Sequence, residues 1–258
     1  MPYTVAKARP LTARRVLIVG SPNSWKTTAL LDWPKPLHIL SYPGEKGHET
    51  IPRGVEGISS YVWEADAAEK TSSTAVVTEV MRLGLEIIGG KYGPCQTFAG
   101  DGLQKLYSQI LNSVTGGAYF QGEEFEPRLY ARSHEQFRFC LDRIMSSTVP
   151  FAVFTCWDGK EPDNPDLKSM SPTHVYPNLP GKMAKDIMGE FAVVVYAEVK
   201  HPSVAGQGKS EGTWQLLPHG KVWGAAIKAP KAVVERLPVK IPQSFERLEQ
   251  VLQAAQKE

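Results

Sequence analysis

The sequence predicts an α/β domain: a mainly parallel sheet flanked by helices on both faces, with an antiparallel C-terminal extension. Three observations carry this. Apolar runs of strand length alternate with segments of helical period up to residue 157, the order expected of βαβ units. Residues 16–19 and 149–157 are nearly continuous apolar runs, which suits strands covered on both faces. Beyond residue 157, apolar strands follow one another without long intervening helices, which argues for the antiparallel extension.

Residues 1–13 form a basic, irregular arm, and 14–258 read as one domain. Strand 16–19 feeds a turn, and residues 26–33 make a short helix stopped by Pro34 and Pro36. A second strand at 37–40 runs into the turn 42–47, and a third is expected at 57–63. Val76, Val80, Leu83 and Ile87 form one helical face ended by Gly89 and Gly90; the helix begins at the capping-box spacing Asp66–Glu69 or near Ser72. Strand 95–100 leads to Asp101 and a helix with Leu103, Leu106, Tyr107, Ile110 and Leu111 on one face.

Residues 113–130 read as a long exposed loop, and the next helix is expected to start at the capping-box spacing of Ser133 and Gln136, with Phe137, Cys140, Leu141 and Ile144 inward. After the strand at 149–157 comes a second long loop, 158–180, then a short helix at 181–189 and a buried strand at 191–199. A flexible turn at 202–212 precedes a hairpin of 213–217 with 222–227 about Pro218, His219 and Gly220. An amphipathic helix, 244–256, with Phe245, Leu248, Leu252 and Ala255 inward, ends the pattern.

The 258 residues, 42% hydrophobic and 22% charged, have the composition of an ordinary globular protein. A formal charge of +2 argues neither for nor against nucleic acid, so any DNA surface has to be a local patch. Cys95, Cys140 and Cys156 lie too far apart for a C-x-x-C site, and six histidines show no metal-ligand spacing, so a structural metal is disfavoured. No signal-peptide core or membrane-length apolar run is present; a cytoplasmic protein with no membrane partner is expected.

Chemistry concentrates between Gly20 and Thr28, where a buried strand, a tight turn and a helix start follow in succession. The pattern G-x-x-x-x-G-K-[ST] fits at Gly20, Lys26 and Thr27, with Trp25 in place of the second glycine. Such a loop offers backbone N–H groups and a helix N-terminus to a polyphosphate. Gly20, Ser21, Pro22, Asn23, Ser24, Trp25, Lys26, Thr27 and Thr28 are therefore the candidate nucleotide-binding residues. Lys26 supplies a point charge for the outer phosphates, and Thr27 a hard oxygen suited to Mg²⁺. Glycine in this position lets the backbone approach phosphate closely, which a tryptophan does not do freely. Asp101 ends a strand at the same edge of the sheet, where ligands of such folds bind.

Three stretches resemble the RecA-like phosphate-loop ATPases carried by phages, including those linked to single-strand annealing and recombination. VLIVGSPNSWKTTAL is similar to their Walker A, TFAGDGLQKLY to their Walker B strand, and LPGKMAKDIMGEFAVVVYAEV to a Leu-Pro-Gly-Lys segment and the strand after it. The tail from Lys221 to Leu252 is similar to the family's ending. The resemblance implies a RecA-like P-loop NTPase core, ATP with Mg²⁺, self-assembly into rings or filaments, and single-stranded DNA bound through two loops, here 113–130 and 158–180.

It further implies that Lys26 contacts phosphate, Thr27 ligates Mg²⁺, Thr28 supports the phosphates, Asp101 orients the metal through water, and Glu45 activates the attacking water. Lys182 and Lys228 stand where a cation is offered across a subunit interface, and Cys156-Trp157-Asp158 where a polar γ-phosphate sensor is usual. Tyr119, Phe120, Lys160 and Lys168 suit stacking and phosphate neutralisation, opposed by Glu123, Glu124, Glu126, Asp163 and Asp166. Two other readings stand beside this one: a degenerate loop that assembles or binds DNA without turnover, and an NTP-driven phage assembly factor with no DNA role.

Overall fold

The computed structural model describes residues 14–42, 44–52, 54–63, 73–160, 175–180, 182–201, 209–219, 222 and 224–257. The N-terminal arm, the Asp66–Glu69 capping box, Lys168 and most of the 202–212 turn lie outside the described residues, as does the side chain of Lys160.

In chain order the elements are β1 (Arg15–Gly20), α1 (Lys26–Leu30), β2 (Leu37–Ser41), a 3-10 turn (Gly47–Thr50), β3 (Ile58–Val62), α2 (Ser73–Ile88), β4 (Thr97–Asp101) and α3 (Leu103–Val114). There follow α4 (Ala118–Gln121), α5 (Pro127–Met145), β5 (Phe151–Lys160), β6 (Val175–Pro177) and α6 (Met183–Asp186), the last continued by a 3-10 turn (Ile187–Glu190). The chain ends with β7 (Val193–Lys200), β8 (Glu211–Gln215), β9 (Ala226–Ile227), α7 (Lys231–Val234), β10 (Lys240–Pro242) and α8 (Phe245–Ala254).

The strand order is β10-β8-β7-β1-β5-β4-β2-β3. Strands β3, β2, β4, β5, β1 and β7 run parallel, while β8 and β10 extend the sheet antiparallel beside β7. This is the fold class expected. The side-chain alternation of the strands gives the sheet two dry faces. On one, Leu17, Val19, Leu40, Phe98 and Phe154 meet α2, α3 and α5. On the other, Val16, Ile18, Ile39, Val153 and Val195 meet Ala29 and Leu30 of α1 and Leu248 and Leu252 of α8. Burying both faces explains why β1 and β5 read as apolar runs without alternation.

Four expectations are corrected. Helix α1 ends at Leu30 rather than 33, the chain turning away through Leu31 N–H to Thr28 O and Trp33 N–H to Leu30 O. Helix α5 begins at Pro127, whose missing N–H is harmless in the first turn, so Ser133 is not a cap. It lies buried inside the helix, its hydroxyl donating to Leu129 O at 2.8 Å. The span 113–130 is accordingly the end of α3, the short α4 and the start of α5, not a single loop.

Among the described residues the expected hairpin of 213–217 with 222–227 is also absent. β8 pairs instead with β10, Trp214 opposite Ile241, and β9 adds to β7. Trp214 and Ile241 are both buried, and this apolar pairing displaces the local hairpin; among the described residues a bridge between His219 and Val222 is what remains of it. Neither α7 nor β10 was expected from the sequence.

Candidate functional site

All parallel strands point their carboxyl ends to one edge, and there the loop 21–25 leaves β1 between β5 and β7. Gly20 is enclosed: a Cβ there would come 2.5 Å from Ser24 Oγ and 2.6 Å from Ala197 O. The loop closes on Ser24 N–H to Ser21 O, and Asn23 and Trp25 take left-handed backbone at φ 66° and 61°. Trp25 thus adopts the conformation that favours glycine, which its side chain does not prevent. Its ring goes sideways to β8, where a Cβ on Gly212 would lie 3.1 Å from its Cε3. Ser21, Pro22, Asn23 and Thr28 are exposed.

Lys26 is buried and folds back on the loop, donating to Gly20 O at 2.8 Å and Ser21 O at 2.7 Å, with Ser24 Oγ at 3.4 Å. Burial pulls its ammonium below the usual lysine pKa, while Asp158, Glu45 and Asp101 oppose that shift. The next residue, Thr27, donates through Oγ1 to Asp101, 3.0 Å from Oδ2 and 3.3 Å from Oδ1.

Asp101 ends β4 and is buried. Thr155 of β5 donates to its Oδ1 at 2.5 Å and accepts from Gly102 N–H at 2.9 Å. Gly47 roofs the pair: a Cβ on it would fall 2.3 Å from Asp101 Oδ2 and 2.4 Å from Thr27 Oγ1, so no larger residue fits there without displacement.

Glu45 reaches the same edge. Gln104 of α3 donates to its Oε2 at 3.2 Å and accepts from Trp157 N–H at 3.0 Å, tying the carboxylate to β5. Burial first, then the charge of Asp101, raises the Glu45 carboxyl above the usual range; Lys26, Lys105 and the Gln104 bond oppose it. Asp158 is likewise raised by burial and drawn back by Lys26. Lys105 Nζ sits 4.8 Å from the ring centroid of Trp157.

The donor set fits a hard cation shared with a ligand: one hydroxyl, one buried carboxylate and two further carboxylates nearby. Among the described residues no group of three or more His, Cys, Asp or Glu side chains could hold a metal alone. The remaining oxygens would come from phosphate and water, which is how Mg²⁺ is usually held.

A sequence profile for a family described as AAA domain matches residues 12–223. The chain belongs to that AAA domain family. Together with the sheet order and the loop, membership makes this AAA domain a P-loop NTPase fold. A comparison with curated proteins finds no match. Among solved structures, the chain is similar to EssC (ATPases 2 and 3) from Geobacillus thermodenitrificans, at 11% identity and a TM-score of 0.31, over 94% of this chain and 45% of that one.

Of the residues expected at the site, the AAA domain brings Lys26, Thr27, Asp101 and Glu45 together. Lys182 instead lies exposed, 3.9 Å from Asp186, and Lys228 donates to Gly189 O. Thr155, Gln104, Gly47 and Gln243 were missed. Thr155 is a polar residue inside the apolar run of β5, and Gln104 a polar residue three and seven positions before Tyr107 and Leu111 on an apolar face, so both left a signal. Gln243 left none. Its Nε2 lies 3.1 Å from Ser24 O and 3.3 Å from Glu198 O and Thr213 O, and it stands beyond the matched range. Among the described residues no helix is long and apolar enough to cross a membrane.

Proposed function

We propose that the chain is a Mg²⁺-dependent ATPase of RecA-like type, and the Thr27–Asp101 bond carries the reading. It joins the residue after the loop lysine to a buried strand-end carboxylate, the pair that would hold Mg²⁺. Bound Mg²⁺ would neutralise charge on the β- and γ-phosphates. Lys26 exchanges the carbonyls of Gly20 and Ser21 for phosphate oxygens, and loop amides complete the cradle. Glu45, held by Gln104, accepts a proton from water as its oxygen attacks the γ-phosphorus and the bond to the β-phosphate oxygen breaks.

Single-stranded DNA is the partner within this reading, on a phage-encoded ring or filament acting in a bacterial cytoplasm. Phe120 is 55% exposed, and with Tyr119, Lys105, Ser108, Gln109 and Gly44 it lines a cavity of about 530 Å³. Aromatic faces next to a lysine suit bases and phosphates. The glycine-like backbone of Trp25 favours a working loop over a degenerate one. ATP hydrolysis by the full chain tests this: Mg²⁺-dependent turnover that is lost in Lys26→Ala is expected. Absence of turnover, restored by Trp25→Gly, would instead establish the degenerate loop.

A further inference from the structure

Trp25 poses a question that the phosphate-binding role leaves open. Its left-handed backbone is disfavoured for a bulky residue, and the residue is 39% exposed, so core packing does not account for a tryptophan here. The ring nevertheless has a prepared seat. Gly212 of β8 leaves room for it, because a Cβ there would meet Trp25 Cε3 at 3.1 Å and Gln243 Oε1 at 2.7 Å. Gln243 in turn donates toward Ser24 O, fixing the loop to the same strands.

The direction of the ring matters. Thr27, Asp101, Glu45 and Thr155 lie on the side of β1 toward β5, β4 and β2. Trp25 leans to the opposite side, over β8 beyond β7. A polyphosphate whose terminal group sits by Glu45 and Asp101 has its nucleoside at the other end, and Trp25 stands on the side of the loop away from those carboxylates.

We infer that Trp25 is the stacking platform for the nucleobase, its ring held beside Gly212 by the close approach at Cε3 and its exposed part offered to the base. The inference rests on the nucleotide-binding reading above. Stacking on an indole tolerates different bases, since every base has a π-face. On this account the tryptophan in place of glycine is a base-binding residue grafted onto a loop that keeps a glycine-like backbone.

The test compares ligands with and without a base. The β,γ-imido analogue of ATP and inorganic tripolyphosphate, each with Mg²⁺, are titrated calorimetrically into the full wild-type chain, Trp25→Ala and Trp25→Phe. Trp25→Ala is expected to weaken the nucleotide about tenfold, and tripolyphosphate by less than about twofold, while Trp25→Phe retains most nucleotide affinity. Retained tripolyphosphate binding also shows the variant loop intact. Equal losses for both ligands, or no loss for the nucleotide, would overturn the inference and leave the phosphate site standing. A wild-type chain that binds neither ligand would overturn the nucleotide-binding reading itself.

Discussion

Thr27 and Asp101, 74 residues apart in sequence, are joined by a hydrogen bond of 3.0 Å between the first turn of α1 and the end of β4. The bond forms because β1 and β4 are parallel strands separated only by β5, so their carboxyl ends open on one edge. Thr155, on that intervening strand, takes the second oxygen of the carboxylate. The buried carboxyl is thereby hydrogen-bonded from two sides, as low-dielectric surroundings demand of a polar group.

Removing the carboxylate should therefore show in stability as well as function. Asp101→Ala leaves the Thr27 and Thr155 hydroxyls without this acceptor and is expected to lower unfolding free energy by about 1–3 kcal/mol, measured by urea denaturation. Asp101→Asn, nearly isosteric, should lose less stability but require more Mg²⁺ for nucleotide binding.

Glu45→Gln should reduce turnover by about 10²–10⁴-fold, the range for a lost general base, without loss of nucleotide affinity. Because burial and Asp101 raise the Glu45 carboxyl, the acid limb of the wild-type rate should lie above the ordinary carboxylate range. The sign for stability follows from the same shift. The raised group is ionised at a disadvantage in the folded state, so its contribution is fully present below the unfolded pKa and lost as pH rises through the folded one. Glu45→Gln escapes that loss. Thermal midpoints should favour the variant at pH 7.5, with this advantage vanishing below the unfolded pKa.

Gln243→Ala removes the amide that spans Ser24 O, Glu198 O and Thr213 O. Losing these bonds is expected to lower stability by about 1–2 kcal/mol and to weaken nucleotide binding, because the loop loses its tie to β7 and β8. Chemical denaturation and calorimetry on the same variant check both.

The proposed DNA partner is tested at Phe120: on that proposal Phe120→Ala weakens single-strand binding about tenfold without changing the slope of log affinity against log salt, since a phenyl ring neutralises no phosphate. Lys105→Ala should reduce that slope by about 0.7. Fluorescence anisotropy at two salt concentrations distinguishes the two effects.

The parallel core and half of the site could be read from the sequence because their signals are local. Residues 16–28 carry strand, turn, lysine and threonine in one stretch, and Asp101 stands at a visible strand-to-helix junction. What was not legible depends on long-range pairing. The choice of β10 over a nearby hairpin partner for β8 is decided by burial of Trp214 against Ile241, which no turn residue announces. Gln243 reaches Ser24 across 219 positions, and Gly47 matters only because the fold lays its backbone on Thr27 and Asp101. The start of helix α5 at Pro127 is hidden in the sequence because Ser133 mimics a cap, while its hydroxyl serves Leu129 within the helix.

The nucleotide site proposed at Gly20–Thr28 centres on Lys26, which rests on the carbonyls of Gly20 and Ser21. Its most direct test is calorimetric titration of the Mg²⁺-loaded β,γ-imido analogue of ATP into the wild-type chain and Lys26→Ala. Saturable binding at one site per chain, weakened about 10–100-fold in Lys26→Ala, is the predicted result, the range being that of a lost hydrogen bond to a charged group. Equal affinity in the two proteins, or no binding by wild type, would contradict it.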